Sequence, residues 1–336
     1  MRHTITLGLV VLIAAMIGPR RAVAAVDHTE VRVDVVWFDT GQSQYVSAPY
    51  FLDLRDNDAP MTVDNFKGYI TSGDYDYTII HRSAHFGDGS PFVLQGGGFW
   101  VTNAGGGIVA PQYVVDYGTI DSEFDPATMS NLRGTIAMAR LGNDENSATN
   151  EWFINMADNT FLDYADNPSV VGFTVFGDVV NTPEKPGMDF LDDVASLQTY
   201  DFSLAGVTPR VSAWSDIPLI NYTPDDYAAG VPLQFGFLLY TIMTITAEPL
   251  IGDVNRDDAA NLLDIVPFVS LITTLPSPYQ TEADLNRDGA VNLLDINPFV
   301  ALIVQSGGGS AVPEPASLVL LIAAGLLLVA RRRLRG

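Results

Sequence analysis

The residues best suited to chemistry lie in one stretch, Ile79–Phe99, which reads IIHRSAHFGDGSPFVLQGGGF. An apolar pair leads into His81 and Arg82, a short polar loop follows, and a second apolar segment ends at Gln95 and three glycines. Glycines directly after an apolar strand indicate a close approach of the backbone to a neighbouring group. An arginine and a glutamine beside a phenylalanine on one pleated face can hold an apolar group and offer hydrogen bonds to an adjacent amide.

This stretch resembles the cyclophilin family of peptidyl-prolyl cis-trans isomerases. In that family a strand carrying Phe-His-Arg is followed by Phe, an apolar residue, a spacer and Gln-Gly-Gly. Four more blocks follow in the family's order, within residues 31–219: Arg133–Ala139, Asn150–Asn155, Phe161–Asp163 and Phe173–Gly177. The resemblance implies a mainly β fold, a closed eight-stranded antiparallel barrel that is capped by helices.

The same resemblance implies a role for each site residue. Arg82 takes the catalytic position, and Gln95 orients it. The substrate-binding positions are Phe92, Val93, Ala139, Arg140, Glu151, Phe153, Phe161, Leu162 and Phe173. At four of them the family often has another residue: tryptophan at 161, histidine or tyrosine at 173, asparagine at 140 and glutamine at 151. The change at Glu151 matters most, because a carboxylate near Arg82 could pair with it and compete with the substrate.

The implied reaction is rotation about an X-Pro amide bond. Its barrier is roughly 18–20 kcal/mol, because the carbon–nitrogen bond has partial double-bond character, and exchange takes about tens to hundreds of seconds. A guanidinium that donates to the prolyl nitrogen localises the lone pair there, and it stays charged at any relevant pH. The remaining acceleration comes from a pocket that holds the ring and excludes water. Catalysis of this kind needs no cofactor.

Two functions remain open at this level. The first is an exported prolyl isomerase that acts on proline-containing secreted or surface proteins. The second is a catalytically weak cyclophilin fold that binds proline-containing peptides and is positioned by the repeats described below. Arg82, Gln95 and Phe153 favour the first function, whereas Glu151, Arg140 and the extended C-terminal part keep the second open.

Composition limits the possible partners. The chain has 336 residues and a formal net charge of −23. The body is more acidic still, because several of the arginines lie in the two terminal segments. Such a body repels phosphate backbones, so no nucleic-acid partner is expected. The chain has no cysteine, which excludes a disulfide framework and a thiolate zinc site.

Residues 1–25 are predicted to be a signal peptide. Arg2 and His3 precede the apolar run Ile5–Ile17, and Ala22-Val23-Ala24 offers small residues for cleavage. A buried N-terminal strand is the alternative interpretation.

Residues 307–336 are predicted to be a linker and a sorting tail. A Gly-Ser spacer leads to Val312-Pro313-Glu314-Pro315, an apolar run Ala316–Ala330 and the arginine-rich end Arg331–Arg335. Together these features resemble the PEP-CTERM sorting signal, which an exosortase-type enzyme processes. The run is shorter than the roughly 20 residues of a stable span, and its arginines would stay cytoplasmic; a plain membrane anchor is the alternative. We therefore expect membrane attachment before processing and a bacterial cell-envelope, cell-surface or extracellular-matrix location.

Residues 27–248 are predicted to form one isomerase domain. Alternating valines from Val31 indicate strands. A helix is expected after Thr62 as its N-cap, with Gly73 beyond its end. Phe235–Ile245 is expected to be a buried strand that closes the sheet, and Pro249 marks the domain boundary.

Residues 249–306 contain an internal repeat. DVNRDDAANLLD from Asp253 is matched by DLNRDGAVNLLD from Asp284. Oxygen-bearing side chains fall at loop positions 1, 3, 5, 9 and 12, and the carbonyl group of position 7 completes a calcium shell. The predicted ligands are Asp253, Asn255, Asp257, Ala259, Asn261 and Asp264 in the first loop and Asp284, Asn286, Asp288, Ala290, Asn292 and Asp295 in the second.

Each predicted loop runs into an apolar helix, Ile265–Ile272 or Ile296–Ile303, so a small α-helical domain is expected. The pair resembles the type I dockerin module of cellulosomal and other extracellular proteins. The resemblance implies two structural Ca²⁺ ions and a cohesin-like receptor. A calcium-stabilised spacer without a receptor is the alternative.

Overall fold

The computed structural model describes residues 28–163, 172–204, 207–209, 211–256, 259–274 and 279–306. The predicted signal peptide, the predicted sorting tail and Asp257 lie outside these residues. Among the described residues, no helix combines the length and the apolar character needed to cross a bilayer.

The described part of the chain is rich in short antiparallel strands. The strands are β1 (Glu30–Asp39), β2 (Gln44–Leu54), β3 (Thr78–Ile79), β4 (Arg82–His85), β5 (Pro91–Gly96), β6 (Phe99–Gly105), β7 (Ile108–Tyr113), β8 (Thr135–Met138), β9 (Trp152–Asn155), β10 (Val175–Val179), β11 (Asn181–Thr182), β12 (Lys185–Pro186), β13 (Thr199–Tyr200), β14 (Ile217–Pro218) and β15 (Tyr240–Ala247). The α-helices are α1 (Pro60–Ser72), α2 (Gly187–Ala195), α3 (Pro224–Ala228), α4 (Ile265–Thr273) and α5 (Ile296–Ser306). Short 3-10 helices lie at Thr160–Asp163, Phe235–Phe237, Leu262–Asp264, Thr281–Ala283 and Leu293–Asp295.

Nine strands form the main sheet, in the order β3-β15-β1-β2-β10-β8-β9-β5-β4. The mainly β, antiparallel prediction is confirmed, but the closed eight-stranded barrel is not. The structure has nine strands where eight were predicted, because one chain segment supplies both β3 and β4, which stand at the two ends of this order. Ile79 pairs with Tyr240 of β15, and Arg82 pairs with Gln95 of β5. Between them, the His81 amide donates to the Gln95 carbonyl group at 3.1 Å.

The core lies between the curled sheet and α1. Val31, Val33 and Val35 of β1 are fully buried, as the period of two predicts for a half-buried strand. From α1, Phe66 packs against the ring of Phe176 on β10, with ring centroids 5.0 Å apart. The helix therefore covers one side of the sheet core.

The predicted start of α1 is wrong. The helix begins at Pro60, with Ala59 as its N-cap, and Thr62 lies within the first turn. A distant carboxylate replaces the local cap, because Glu123 accepts hydrogen bonds from the amides of Met61 at 3.0 Å and Thr62 at 2.7 Å. The C-terminal prediction is confirmed: Gly73 adopts a left-handed φ of 80°.

A second apolar cluster connects residues 199–239 to the hairpin β6–β7. Trp214 is fully buried in it and contacts Phe99 at a centroid distance of 5.7 Å. The strand that was predicted from Phe235 begins only at Tyr240, because Phe235–Phe237 forms a 3-10 turn. β15 then lies in the main sheet between β3 and β1.

The two repeats form a small unit with its own core. α4 and α5 extend slightly beyond their predicted ends, and Phe268 stacks on Phe299 with centroids 4.1 Å apart. Against the larger part of the chain, the Thr281 amide donates to Asn57 Oδ1 at 2.8 Å. The two units have separate apolar cores.

Candidate active site

Strand register aligns the predicted catalytic residues. On the antiparallel neighbours β4, β5 and β9, Arg82 lies opposite Gln95, and Gln95 lies opposite Phe153. Directly opposed residues of antiparallel strands have Cβ atoms about 4.5–5.5 Å apart and lie on the same face. One row across three strands therefore contains a cation, an amide and an aromatic ring.

This row opens into a cavity of about 310 Å³. Its lining consists of nine side chains, all predicted as site residues: Arg82, Phe92, Val93, Gln95, Ala139, Arg140, Phe153, Leu162 and Phe173. The volume lies at the lower end of the range for small-ligand pockets, roughly 300–1,000 Å³. A pyrrolidine ring and its flanking amides are a suitable occupant in size.

Two predicted residues are not part of the lining. Phe161 is 55% exposed and stacks on the outer side of Phe92, at a centroid distance of 5.6 Å. Glu151 lies behind Gln95. The direct ion pair with Arg82 that the sequence allowed for Glu151 is not formed, because the Gln95 side chain lies between them.

Gln95 connects the arginine to the carboxylate. Arg82 Nη1 donates to Gln95 Oε1 at 3.4 Å, and Gln95 Nε2 donates to Glu151 Oε2 at 2.6 Å. An ionised carboxylate only accepts hydrogen bonds. Glu151 therefore determines which end of the Gln95 amide faces Arg82, and it presents the amide oxygen to the guanidinium group.

Burial shifts the pKa values of Glu151 and His81, which lie next to these hydrogen bonds. It raises the pKa of Glu151, against the opposing effects of the Gln95 hydrogen bond and the Arg82 charge. Burial, together with Arg82, lowers the pKa of His81 to about 3. The 3.6 Å separation of His81 Nε2 and Glu151 Oε2 is thus a contact of a neutral ring with a carboxylate, not an ion pair. His81 packs edge-on against Phe99.

Aromatic rings form the walls of the cavity. Phe153 meets Phe173 edge to face at 5.7 Å, and the Arg140 guanidinium carbon lies 4.2 Å from the Phe173 ring centroid. At the mouth, Phe86 contacts Phe92 at 5.0 Å. Sequence reasoning missed Phe86. The available signal was the short β4–β5 hairpin, which brings residues on either side of its loop together.

The glycine run allows the close approach that the sequence predicted. A Cβ atom on Gly97, whose φ is +82°, would lie 2.5 Å from the Asn150 carbonyl oxygen. A Cβ atom on Gly98 would lie 2.5 Å from Glu151 Oε1. Glycine at position 98 therefore leaves room for Glu151 behind Gln95, and glycine at position 97 leaves room for the Asn150 carbonyl group and the Trp152 ring.

The repeat loops contain buried carboxylates. Asp264 and Asp295 are fully buried, and each accepts hydrogen bonds from loop amides, for example Asn261 to Asp264 at 2.8 Å. Burial raises the pKa of Asp284, and the charge of Asp295 adds to the effect. The carboxylate, amide and carbonyl oxygens fit the ligand preference of calcium. Within the described residues, however, no cluster of three or more His, Cys, Asp or Glu side chains is arranged to hold a metal.

Comparison with known proteins matches two parts of the chain to two different families. The family of cyclophilin type peptidyl-prolyl cis-trans isomerases/CLD matches residues 50–211. The chain is 39% identical over 149 residues to peptidyl-prolyl cis-trans isomerase cyp18 of Streptomyces antibioticus, across 44% of this chain and 78% of the relative. This chain belongs to the cyclophilin family. It is a peptidyl-prolyl cis-trans isomerase with an additional C-terminal module, since the dockerin type I domain family matches residues 251–298.

A second curated relative agrees with this assignment. The cyclophilin region is 34% identical over 159 residues to a peptidyl-prolyl cis-trans isomerase of Acinetobacter baylyi, across 47% of this chain and 73% of the relative. A solved cyclophilin type isomerase from Cryptosporidium parvum superimposes with a TM-score of 0.37 and 17% identity, across 66% of this chain and 99% of that one.

Glu151 is expected to give this isomerase an acid limb in its pH profile. Because burial raises its pKa above 4.5, Glu151 takes up a proton at a higher pH than an exposed glutamate. The protonated group no longer accepts strongly from Gln95, so kcat should fall as the pH falls through this raised value. Exchange NMR on an Ala-Pro peptide measures the profile. Glu151→Gln, which stays neutral, should flatten the limb; an unchanged limb in that variant would assign it to another group.

Proposed function

We propose that the cavity is the prolyl pocket and that Arg82 is the catalytic residue. The observation that carries the proposal is the row Arg82–Gln95–Phe153 across three strands at one end of this cavity. With the ring against Phe153, the preceding amide lies beside the guanidinium group. Donation to the prolyl nitrogen then favours the twisted amide.

In this proposal, the other lining residues form the pocket around the proline ring and the adjacent peptide backbone. Phe92, Val93 and Leu162 surround the ring with apolar surface, which removes water from around the amide. Ala139 and Arg140 lie beside the path of the peptide backbone, and Phe173 supports the Arg140 side chain. Phe161 extends the apolar wall outward from Phe92.

Typical hydrogen-bond energies indicate how much of the rate acceleration comes from Arg82 and how much from the pocket. A hydrogen bond to a charged group is typically worth about 1.5–3 kcal/mol, and about 1.4 kcal/mol corresponds to a factor of ten in rate. Arg82 alone thus accounts for roughly one to two powers of ten, and more where the pocket excludes water. The remainder comes from holding the ring in the geometry of the twisted amide.

The test is the rate of isomerisation of a short Ala-Pro peptide, measured by exchange NMR with the full chain. A catalysed rate supports the proposal. The alternative, a peptide-binding module with little turnover, draws on the Arg140 and Glu151 departures. It would be favoured by saturable peptide binding in calorimetry without a rate above background.

We propose that residues 27–248 form the isomerase domain of an exported protein, with residues 1–25 as its signal peptide. Residues 307–336 then form the linker and PEP-CTERM tail, which an exosortase-type enzyme removes after membrane attachment. The acidic body and the dockerin-type module suit an extracellular or cell-surface place, where calcium is available. Intact mass spectrometry of the mature protein tests both cleavages. Retention of Arg331–Arg335 would contradict the sorting part.

We propose that residues 249–306 bind two calcium ions through the predicted loop ligands and present a docking surface for a cohesin-type receptor. The surface consists of exposed apolar side chains, of which the two leucine pairs occupy matching positions of the two repeats, whereas Val266 is matched by Asn297. They are Leu262, Leu263, Val266, Leu293 and Leu294, between 56% and 76% exposed. Water-exposed leucine pairs in both copies are unusual for a surface with no partner.

Substitution of both leucine pairs tests the docking surface. Leu262→Asp/Leu263→Asp combined with Leu293→Asp/Leu294→Asp should abolish binding of a recombinant cohesin in calorimetry with calcium, a loss of at least about 100-fold. Leu250→Asp changes a leucine that is 48% exposed and lies outside both pairs, so it is the matched control. Equal binding by both proteins would contradict the proposed surface.

A further inference from the structure

Arg82 has a carboxylate neighbour that comes from a region outside the family match. The match ends at residue 211, and Asp216 follows it in the chain, directly before β14. The Ser83 amide of β4 donates to the Asp216 carbonyl oxygen at 2.8 Å. This backbone hydrogen bond places the residue next to the strand that carries Arg82. Nothing in the local sequence pattern indicates the juxtaposition.

The side chains meet on the Nε edge of the guanidinium group. Asp216 Oδ2 lies 3.7 Å from Arg82 Nε, and the Ser215 hydroxyl group donates to the same carboxylate oxygen at 2.8 Å. Gln95 accepts from Nη1 on another edge. Within the described part of the chain, Nη2 donates no hydrogen bond. Two contacts thus orient the group and leave one nitrogen for a substrate.

We propose that Asp216 is a positioning residue that fixes the Arg82 guanidinium group for catalysis. The inference rests on the catalytic role proposed for Arg82. An arginine side chain loses rotamer entropy when it becomes fixed, and a group already held at Nε and Nη1 loses less of it when the substrate arrives. Ser215 holds the Asp216 carboxylate through its hydroxyl group, and the carboxylate in turn orients the Arg82 guanidinium group.

A purely structural role predicts different behaviour. Both side chains are more than a third exposed, and exposed ion pairs contribute little to stability. Removal of the carboxylate should therefore leave the fold intact, particularly because the bond to Ser83 uses the Asp216 backbone. A carboxylate that merely competed with the substrate for Arg82 would have the opposite effect, since its removal would raise the rate.

The experiment compares kcat and KM of Asp216 variants on an Ala-Pro peptide. Asp216→Ala should lower kcat about tenfold, as expected for lost orientation, with KM changed less than about twofold. Asp216→Glu should recover most of the activity, because the carboxylate still reaches Arg82. Asp192→Asn is the matched control: Asp192 pairs with Arg133 at 2.7 Å, and the two side chains have similar exposure. This variant should behave as the unsubstituted protein.

A double-substitution cycle separates this inference from the proposed function. If Asp216 acts through Arg82, Asp216→Ala should have no further effect in a chain that already has Arg82→Ala. An equal loss of rate in both backgrounds would overturn the positioning role, as would an unchanged or higher kcat in Asp216→Ala alone. If Arg82→Ala itself is fully active, the catalytic role proposed for Arg82 is wrong. This result does not depend on any Asp216 variant.

Discussion

Arg82→Ala is expected to lower kcat/KM for an Ala-Pro peptide by about 10–100-fold, the loss that corresponds to a hydrogen bond to a charged group worth about 1.5–3 kcal/mol. The substitution removes the donor that stabilises the twisted amide. It also leaves Gln95 Oε1 without the guanidinium group that it faces at 3.4 Å. The cavity walls remain, so KM should change far less than kcat. Exchange NMR at several peptide concentrations separates the two constants.

Two further variants make the Arg82 result specific. Arg82→Lys keeps the charge but lacks the planar fork of donors, so it should recover only part of the rate. Arg133→Ala removes another half-exposed arginine, which donates to the Met156 carbonyl group and pairs with Asp192. Because Arg133 is not part of the cavity lining, its loss should cost stability and leave kcat unchanged. An Arg82→Ala protein with the full rate would exclude the arginine mechanism.

The site was largely predictable because its residues belong to compact motifs. Arg82 and Gln95 come from one hairpin, and the resemblance supplied Phe153 from a block far away in the sequence. Strand register then brings them together, and register cannot be read from any single motif. Asp216 was missed for this reason, since its contact with Arg82 depends on how a long loop packs.

Glu151 illustrates a contact that the residue type alone does not determine. Its proximity to Arg82 was expected, but the glycine at 98 leaves room for it behind Gln95. From there it orients the amide and does not neutralise the arginine directly. The substitution of glutamine by glutamate is thus compatible with catalysis, because both residues present an oxygen that can accept from Gln95 Nε2.

The fold followed the sequence wherever local patterns decide the structure. Alternation predicted β1, and Gly73 predicted the end of α1. The start of α1 was missed because Glu123, which caps it, lies more than fifty residues further along the chain. The strand count differed because the segment around Ile80 and His81 changes partner from β15 to β5. A change of this kind leaves no trace in hydrophobic periodicity.

Removal of calcium is expected to unfold the repeat module and leave the isomerase active. Each loop buries two aspartates, Asp253 with Asp264 and Asp284 with Asp295. Without a cation, the two buried carboxylates of each loop repel each other. Two sites, each saturated at about 100 times its dissociation constant, would stabilise the module by roughly 5 kcal/mol. Calorimetry in calcium and in EGTA should therefore show one transition that shifts strongly.

The expectation that the isomerase stays active without calcium rests on the separation of the two apolar cores. The module core around Phe268 and Phe299 shares no residue with the sheet core. The hydrogen bond from Thr281 to Asn57 reaches the N-terminal side of α1, which is distant in sequence from the row Arg82–Gln95–Phe153. Asp264→Ala/Asp295→Ala should make the module insensitive to EGTA, whereas Asp225→Ala, outside the loops, should not. Loss of isomerase activity in EGTA would show that the module supports the catalytic domain, and an unshifted melting profile would exclude structural calcium.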